Sequence, residues 1–155
     1  MRKLVISMAA ILGLVSLSPI VFGQMGMMGP GGMMMGMSMV RHHYVMMNGI
    51  EPRYASKENP LQPTAQNIES GKKLFEQNCA RCHGMTGLGD GRDGESLSPR
   101  PANIAAASKM PMTTDGYLFW AISEGGAPVG SAMPPFKDGL KEDEIWKIIT
   151  YLRVL

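Results

Sequence analysis

Two cysteines three positions apart with a histidine directly after them, Cys79-Ala80-Arg81-Cys82-His83, are the residues of this chain best suited to chemistry. Cysteines one turn apart can each form a thioether with a haem vinyl group. The next residue, His83, then stands under the iron as an axial imidazole ligand. These are the only two cysteines in 155 residues, so the competing uses are easily weighed. A thioredoxin-like dithiol needs a βαβ setting, which the flanking pattern does not offer. A zinc site needs four ligands, and no second pair of Cys or His follows at ligand spacing. A structural disulfide would leave the histidine unexplained. The motif predicts one covalent haem c, attached through Cys79 and Cys82 and ligated by His83.

The second axial ligand must come from a different segment that folds over the other face of the ring. Met133, in Ser131-Ala132-Met133-Pro134-Pro135-Phe136, is the best candidate, because the prolines fix φ and stiffen the backbone around it. A thioether is a soft, neutral ligand that favours ferrous haem and raises the reduction potential. Met110 and Met112, beside Pro111, are the alternatives. Met85 is too close to His83 to reach round the ring.

The elements that must position these ligands occupy only the second part of the chain. Residues 1–23 read as an export signal: Arg2 and Lys3 come first, residues 4–17 are apolar and uncharged, and Ser18-Pro19 breaks the run. Cleavage before Gln24 is expected. The alternative is an uncleaved anchor in the inner membrane, since residues 4–23 carry no charge and just suffice to span a bilayer. Export to the periplasm agrees with the attachment motif, because covalent haem attachment is associated with the outer side of an energy-transducing membrane. Removing Arg2 and Lys3 takes the fifteen basic residues to thirteen, equal to the thirteen acidic ones. The mature chain is then formally neutral, without the basic stripe of a nucleic-acid binder.

Residues 24–48 hold ten of the sixteen methionines, many glycines and one charged residue, Arg41. Glycine at this density opposes regular structure, and Pro52, Pro60 and Pro63 follow. The whole of 24–63 is expected to be an irregular arm or linker. Thioethers suit Cu(I) and imidazole suits either copper state. His42, His43, Met46 and Met47 could therefore gather one copper ion if 41–47 became helical, and the plainer reading is a docking or inert segment.

Three helices are expected in 64–155. The first spans 67–82, with Asn67 as N-cap and Ile68, Gly71, Phe75 and Cys79 on one face. The second spans 115–124, between a Thr114 cap and a Gly125 stop. The third spans 142–155, with three acidic residues in its first turn and a stripe of Ile145, Ile148, Ile149 and Leu152. Lys141 precedes it where Ser or Thr would cap better. A domain of this size has little core of its own, so a buried macrocycle would supply much of its apolar centre.

With those parts in view, residues 64–155 resemble the class I c-type cytochromes, which implies an all-α cytochrome c fold wrapped around one haem. The resemblance rests on the attachment motif at Cys79–His83, on Met133-Pro134 as the axial methionine loop, and on Gly71, Phe75, Ile148 and Tyr151 where the first and last helices cross. It also implies that the segment Pro101-Ala102-Asn103-Ile104 lies near the proximal ligand, with the Pro101 carbonyl accepting a hydrogen bond from Nδ1 of His83. Pro99 competes for that role.

With His83 and Met133 both on iron, no coordination position is open and no acid–base constellation accompanies the motif. The expected function is single-electron transfer between redox protein partners or within a membrane respiratory complex, and not catalysis. Two alternatives stay beside it: a copper-handling cytochrome that uses the arm, and a haem-based sensor or catalytic subunit in which Met133 is labile.

Overall fold

A computed structural model of the chain describes residues 40–155. The expected export signal at 1–23 and residues 24–39 of the methionine-rich segment lie outside the described residues. Among those described, every regular element is helical. The α-helices are α1 (Val40–Asn48), α2 (Pro52–Ala55), α3 (Ala65–Asn78), α4 (Ala80–His83), α5 (Ile104–Ala107), α6 (Asp115–Glu124) and α7 (Glu142–Leu152), with 3₁₀ turns at Arg92–Gly94 and Ala127–Val129. None of them is long and apolar enough to cross a membrane.

The most extensive contact is α3 against α7. Gly71 makes it possible. A Cβ there would run into the Lys147 carbonyl and lie 2.9 Å from Cβ of Tyr151, so only glycine lets the two backbones approach this closely. Phe75 and Tyr151 fill the space beside the crossing, with ring centroids 5.4 Å apart at 53°. Phe75, Ile148 and Ile149 are fully buried. Helix α6 adds Leu118, Phe119, Trp120 and Ile122 to the same core, and Phe119 meets Trp146 of α7 at 4.4 Å.

The helix ends show where local chemistry moved the expected boundaries. α3 starts at Ala65 and not at Asn67, because the Thr64 hydroxyl accepts from the Asn67 amide and caps the helix earlier. The Asn67 side chain instead donates to the Gln62 carbonyl at 2.9 Å. The run to Cys82 is broken at Cys79, whose φ of −117° separates α3 from α4. α6 has the expected bounds, with Thr114 accepting from the Tyr117 amide and Gly125 turning the chain out at φ 65°. α7 stops at Leu152. The next residue, Arg153, turns across the molecule to the Thr113 carbonyl (2.9 Å), the Ser108 carbonyl and the Asp115 carboxylate. The weak cap at Lys141 is offset from inside the helix: the Glu144 carboxylate accepts from the Lys141 amide at 2.8 Å, half of a capping box.

The expectation of an irregular segment fails over Val40–Asn48 and Pro52–Ala55, which are helical, while residues 56–63 carry no helix or strand. Tyr44 of α1 stacks on Trp120 at 6.0 Å and 10°, while Val45 and Ile50 pack on the core. Arg41, Tyr44, Val45 and Asn48 are spaced three and four apart, a helical period that the flanking glycines and methionines obscure. Tyr54 of α2 is only 6% exposed. Its hydroxyl donates to the Glu124 carboxylate at 2.5 Å, and burial together with that acceptor pushes its pKa up to about 12. These residues are part of the folded body and not a tether.

Candidate functional site

The helices enclose a cavity of about 680 Å³, within the usual range for a small-molecule or cofactor site. Cys79, Cys82 and His83 line it from the α3–α4 junction, and Met133 lines it from the loop before α7. The apolar side chains of Phe75, Leu118, Ile122, Ile148 and Leu152 complete much of the wall. Segments more than fifty positions apart in sequence thus converge on one space.

The attachment motif is held by its own short helix. His83 N–H donates to the Cys79 carbonyl at 2.9 Å, and Gly84, at φ 76°, ends α4 and releases the chain into the loop that folds back over it. Gly89 and Gly91 return amide hydrogen bonds to the His83 and Cys82 carbonyls at 2.8 and 3.1 Å. The cysteines are not paired in a disulfide. Burial, with Cys82 adding to it, pushes the Cys79 thiol up to about 12. That is opposite to the depressed value that redox-active dithiols use, so the microenvironment disfavours thioredoxin-like chemistry.

Nδ1 of His83 lies 3.0 Å from the Ala102 carbonyl oxygen. This corrects the expectation that Pro101 supplies the acceptor: the assignment is one residue off. Successive carbonyls of an extended segment point in different directions, and that of Pro101 faces Gly89, where it would clash with any added Cβ. Pro99 and Pro101 both line the cavity without bonding the ring. Asn103 caps α5 by accepting from the Ala106 amide at 3.0 Å, and Ala105 N–H donates to the Gly87 carbonyl, which ties this segment to the attachment loop. Burial is the leading cause that lowers the His83 pKa, opposed by the Ala102 carbonyl and assisted by the Arg41 charge. The neutral imidazole, the form that ligates metals, is thereby favoured.

The Met133 loop is braced at both ends. Gly126 N–H donates to the Met133 carbonyl at 2.7 Å, and Phe136 N–H reaches the Ile122 carbonyl at 3.1 Å. Gly125 approaches Pro134 so closely that a Cβ would lie 2.5 Å from its carbonyl carbon. Of the alternatives, Met110 also lines the cavity, whereas Met112 is 44% exposed and does not. The sulfur of Met133 is 3.7 Å from Nη2 of Arg41.

The copper candidates divide. All four lie on α1, but His42 lines the cavity while His43, Met46 and Met47 are exposed. Sequence reasoning missed the contribution of α1 to the cavity through Val40, Arg41 and His42. The available signal was the single charge at Arg41 with Tyr44 and Val45 three and four positions on.

An all-helical fold around an apolar cavity lined by a Cys-x-x-Cys-His turn defines a class I c-type cytochrome, whose resident cofactor is covalently bound haem c. The family described as cytochrome c oxidase, cbb3-type, subunit III matches residues 66–152, more than half of the chain, and the chain belongs to it. Cytochrome c-554(547) of Halothiobacillus neapolitanus is 27% identical over 95 residues, covering 59% of this chain and 99% of that one. A chain of the Kuenenia stuttgartiensis reducing HAO-like protein complex superposes with a TM-score of 0.53 at 27% identity, covering 61% of this chain. The match spans only 46% of that longer chain. Cytochrome cL of Methylophaga aminisulfidivorans is more distant, at 22% identity and a TM-score of 0.43, with 76% of this chain and 68% of that one covered. The donor set fits the cofactor. Two thiols, an imidazole with Nδ1 committed to a carbonyl, and a thioether all open onto one apolar space.

Proposed function

We propose that the chain is an exported monohaem electron carrier in which Cys79 and Cys82 form the thioethers and His83 and Met133 are the axial ligands. The convergence of the attachment turn and the braced methionine loop on one cavity supports this reading. Bound haem supplies a one-electron couple. The chain's own residues set the conditions for it. The Ala102 carbonyl orients the His83 ring by accepting at Nδ1, which leaves Nε2 for the metal and makes it more electron-donating. Met133 is preferred over Met110 because Met110 follows the segment that carries Ala102, whereas Met133 belongs to a separately anchored loop. Its soft, neutral sulfur favours the reduced state. The apolar wall keeps water away, so little rearranges when the charge changes.

Both axial positions filled from the chain mean a carrier and not a catalyst. The partner is a redox protein, in a membrane respiratory complex or another assembly. The oxidase-subunit description of the family and the complex that contains one structural relative support that reading. The periplasm is its compartment, on the export-signal character of 1–23.

A spectroelectrochemical titration under carbon monoxide tests the proposal. The expected result is a single one-electron wave with a spectrum insensitive to the gas. Rapid carbon monoxide binding by the native reduced protein would contradict a filled sixth position and favour the sensor or catalytic alternative.

A further inference from the structure

Arg41 lies on α1, ahead of residues 66–152 that match the family. Its guanidinium is nevertheless built into the cavity wall. Nη2 donates to the Gly125 carbonyl at 2.7 Å and sits 3.7 Å from the Met133 sulfur, and the guanidinium carbon is 5.1 Å from the centre of the Trp120 ring. Nη1 is buried and has no hydrogen-bond partner among the described residues. Arg41 takes part in none of the ion pairs found there. Residues 1–39 cannot supply a side-chain carboxylate either, because the first acidic residue of the chain is Glu51.

A buried guanidinium with an unpaired nitrogen is costly, since desolvation of the charge is not offset by an acceptor. Two other arginines line the cavity, and neither has this problem: Arg81 is paired with Asp93, and Arg100 is exposed. An anion that enters with the cofactor would supply the missing acceptor. Haem carries its own carboxylates, the two propionates, and a guanidinium is well matched to a carboxylate.

We propose that Nη1 of Arg41 binds a haem propionate, which makes α1 a part of the cofactor site. The inference rests on the reading of the cavity as the haem site with Met133 as axial ligand. Through Nη2 the same side chain holds the methionine loop at Gly125. It thus joins the propionate edge of the cofactor to the segment that presents the sulfur. A fixed positive charge at this position opposes the positive charge of oxidised iron and so raises the reduction potential.

The test compares the haem-loaded native protein with Arg41→Gln and Arg41→Lys. The propionate bending modes are read by resonance Raman, the reduction potential by titration, and methionine ligation by the weak long-wavelength band of the ferric protein. In Arg41→Gln the propionate mode is expected to shift and the potential to fall while the methionine band persists. Arg41→Lys is expected to recover part of both changes, and it supplies the comparison if the glutamine variant holds too little haem. An unchanged propionate mode in both variants would overturn the proposal. Loss of the methionine band with an unchanged propionate mode would do the same, leaving Arg41 a support for Met133 alone. A native protein without the methionine band would instead fault the ligand assignment, and the propionate comparison would still stand.

Discussion

The Cys79→Ala/Cys82→Ala chain is expected to leave purification without haem and without a cooperative unfolding transition. The cavity is too large for the surrounding helices to close over unaided. Without the macrocycle, Phe75, Leu118, Ile122, Ile148 and Leu152 would face water across a space of about 680 Å³. They would lose apolar burial that a small domain, with only about 5–15 kcal/mol of total stability, depends on. The polar penalties add to this, because an unligated His83 and an unpaired Arg41 would remain half-buried. Haem assay of the purified protein and thermal melting by circular dichroism check the outcome. Stoichiometric haem that survives acid extraction would show that the cysteines do not carry the attachment, and a sharp melt near that of the native protein would show that the fold does not depend on the haem.

Met133→Ala is expected to abolish the long-wavelength methionine band of the ferric protein, lower the reduction potential and admit carbon monoxide to the ferrous form. Removing a soft thioether withdraws the ligand that favours the reduced state. The fall should be on the order of 0.1 V, within the roughly 0.8 V over which axial ligands move haem potentials. The domain should still fold. The loop around Met133 is held by backbone bonds at Gly126 and Phe136, and none of these needs the sulfur. Met110 is the control. Retention of the band in Met133→Ala together with its loss in Met110→Ala would transfer the axial role to Met110.

Features that depend on adjacent residues were legible in the sequence. The bounds of α6 with Thr114 and Gly125 and the acidic first turn of α7 are local patterns, and both stand where they were expected, whereas the Cys79–His83 motif sits on a short helix of its own and not on the end of α3. The close approach at Gly71 was legible only through the resemblance to the class I c-type cytochromes, because its partners, Lys147 and Tyr151, are distant in sequence. Features set by the direction of a single group or by long-range packing were not. The Ala102 carbonyl, and not that of Pro101, meets His83, because a one-residue change in an extended segment redirects the carbonyl while leaving the composition unchanged. The Thr64 cap won over Asn67 because the hydroxyl found its donor three residues on. α1 was hidden by its setting. Its helix is stabilised by Trp120, some seventy positions away, through Tyr44 and Arg41, and the glycine-rich stretch before it dilutes the period.

Covalent attachment of one haem through Cys79 and Cys82 can be read from the intact mass of the protein after acid–acetone extraction. For the native protein produced with a working c-type maturation system, one haem should remain on each chain. The polypeptide mass alone, from a protein that was coloured before extraction, would contradict covalent attachment and with it the assignment of the site.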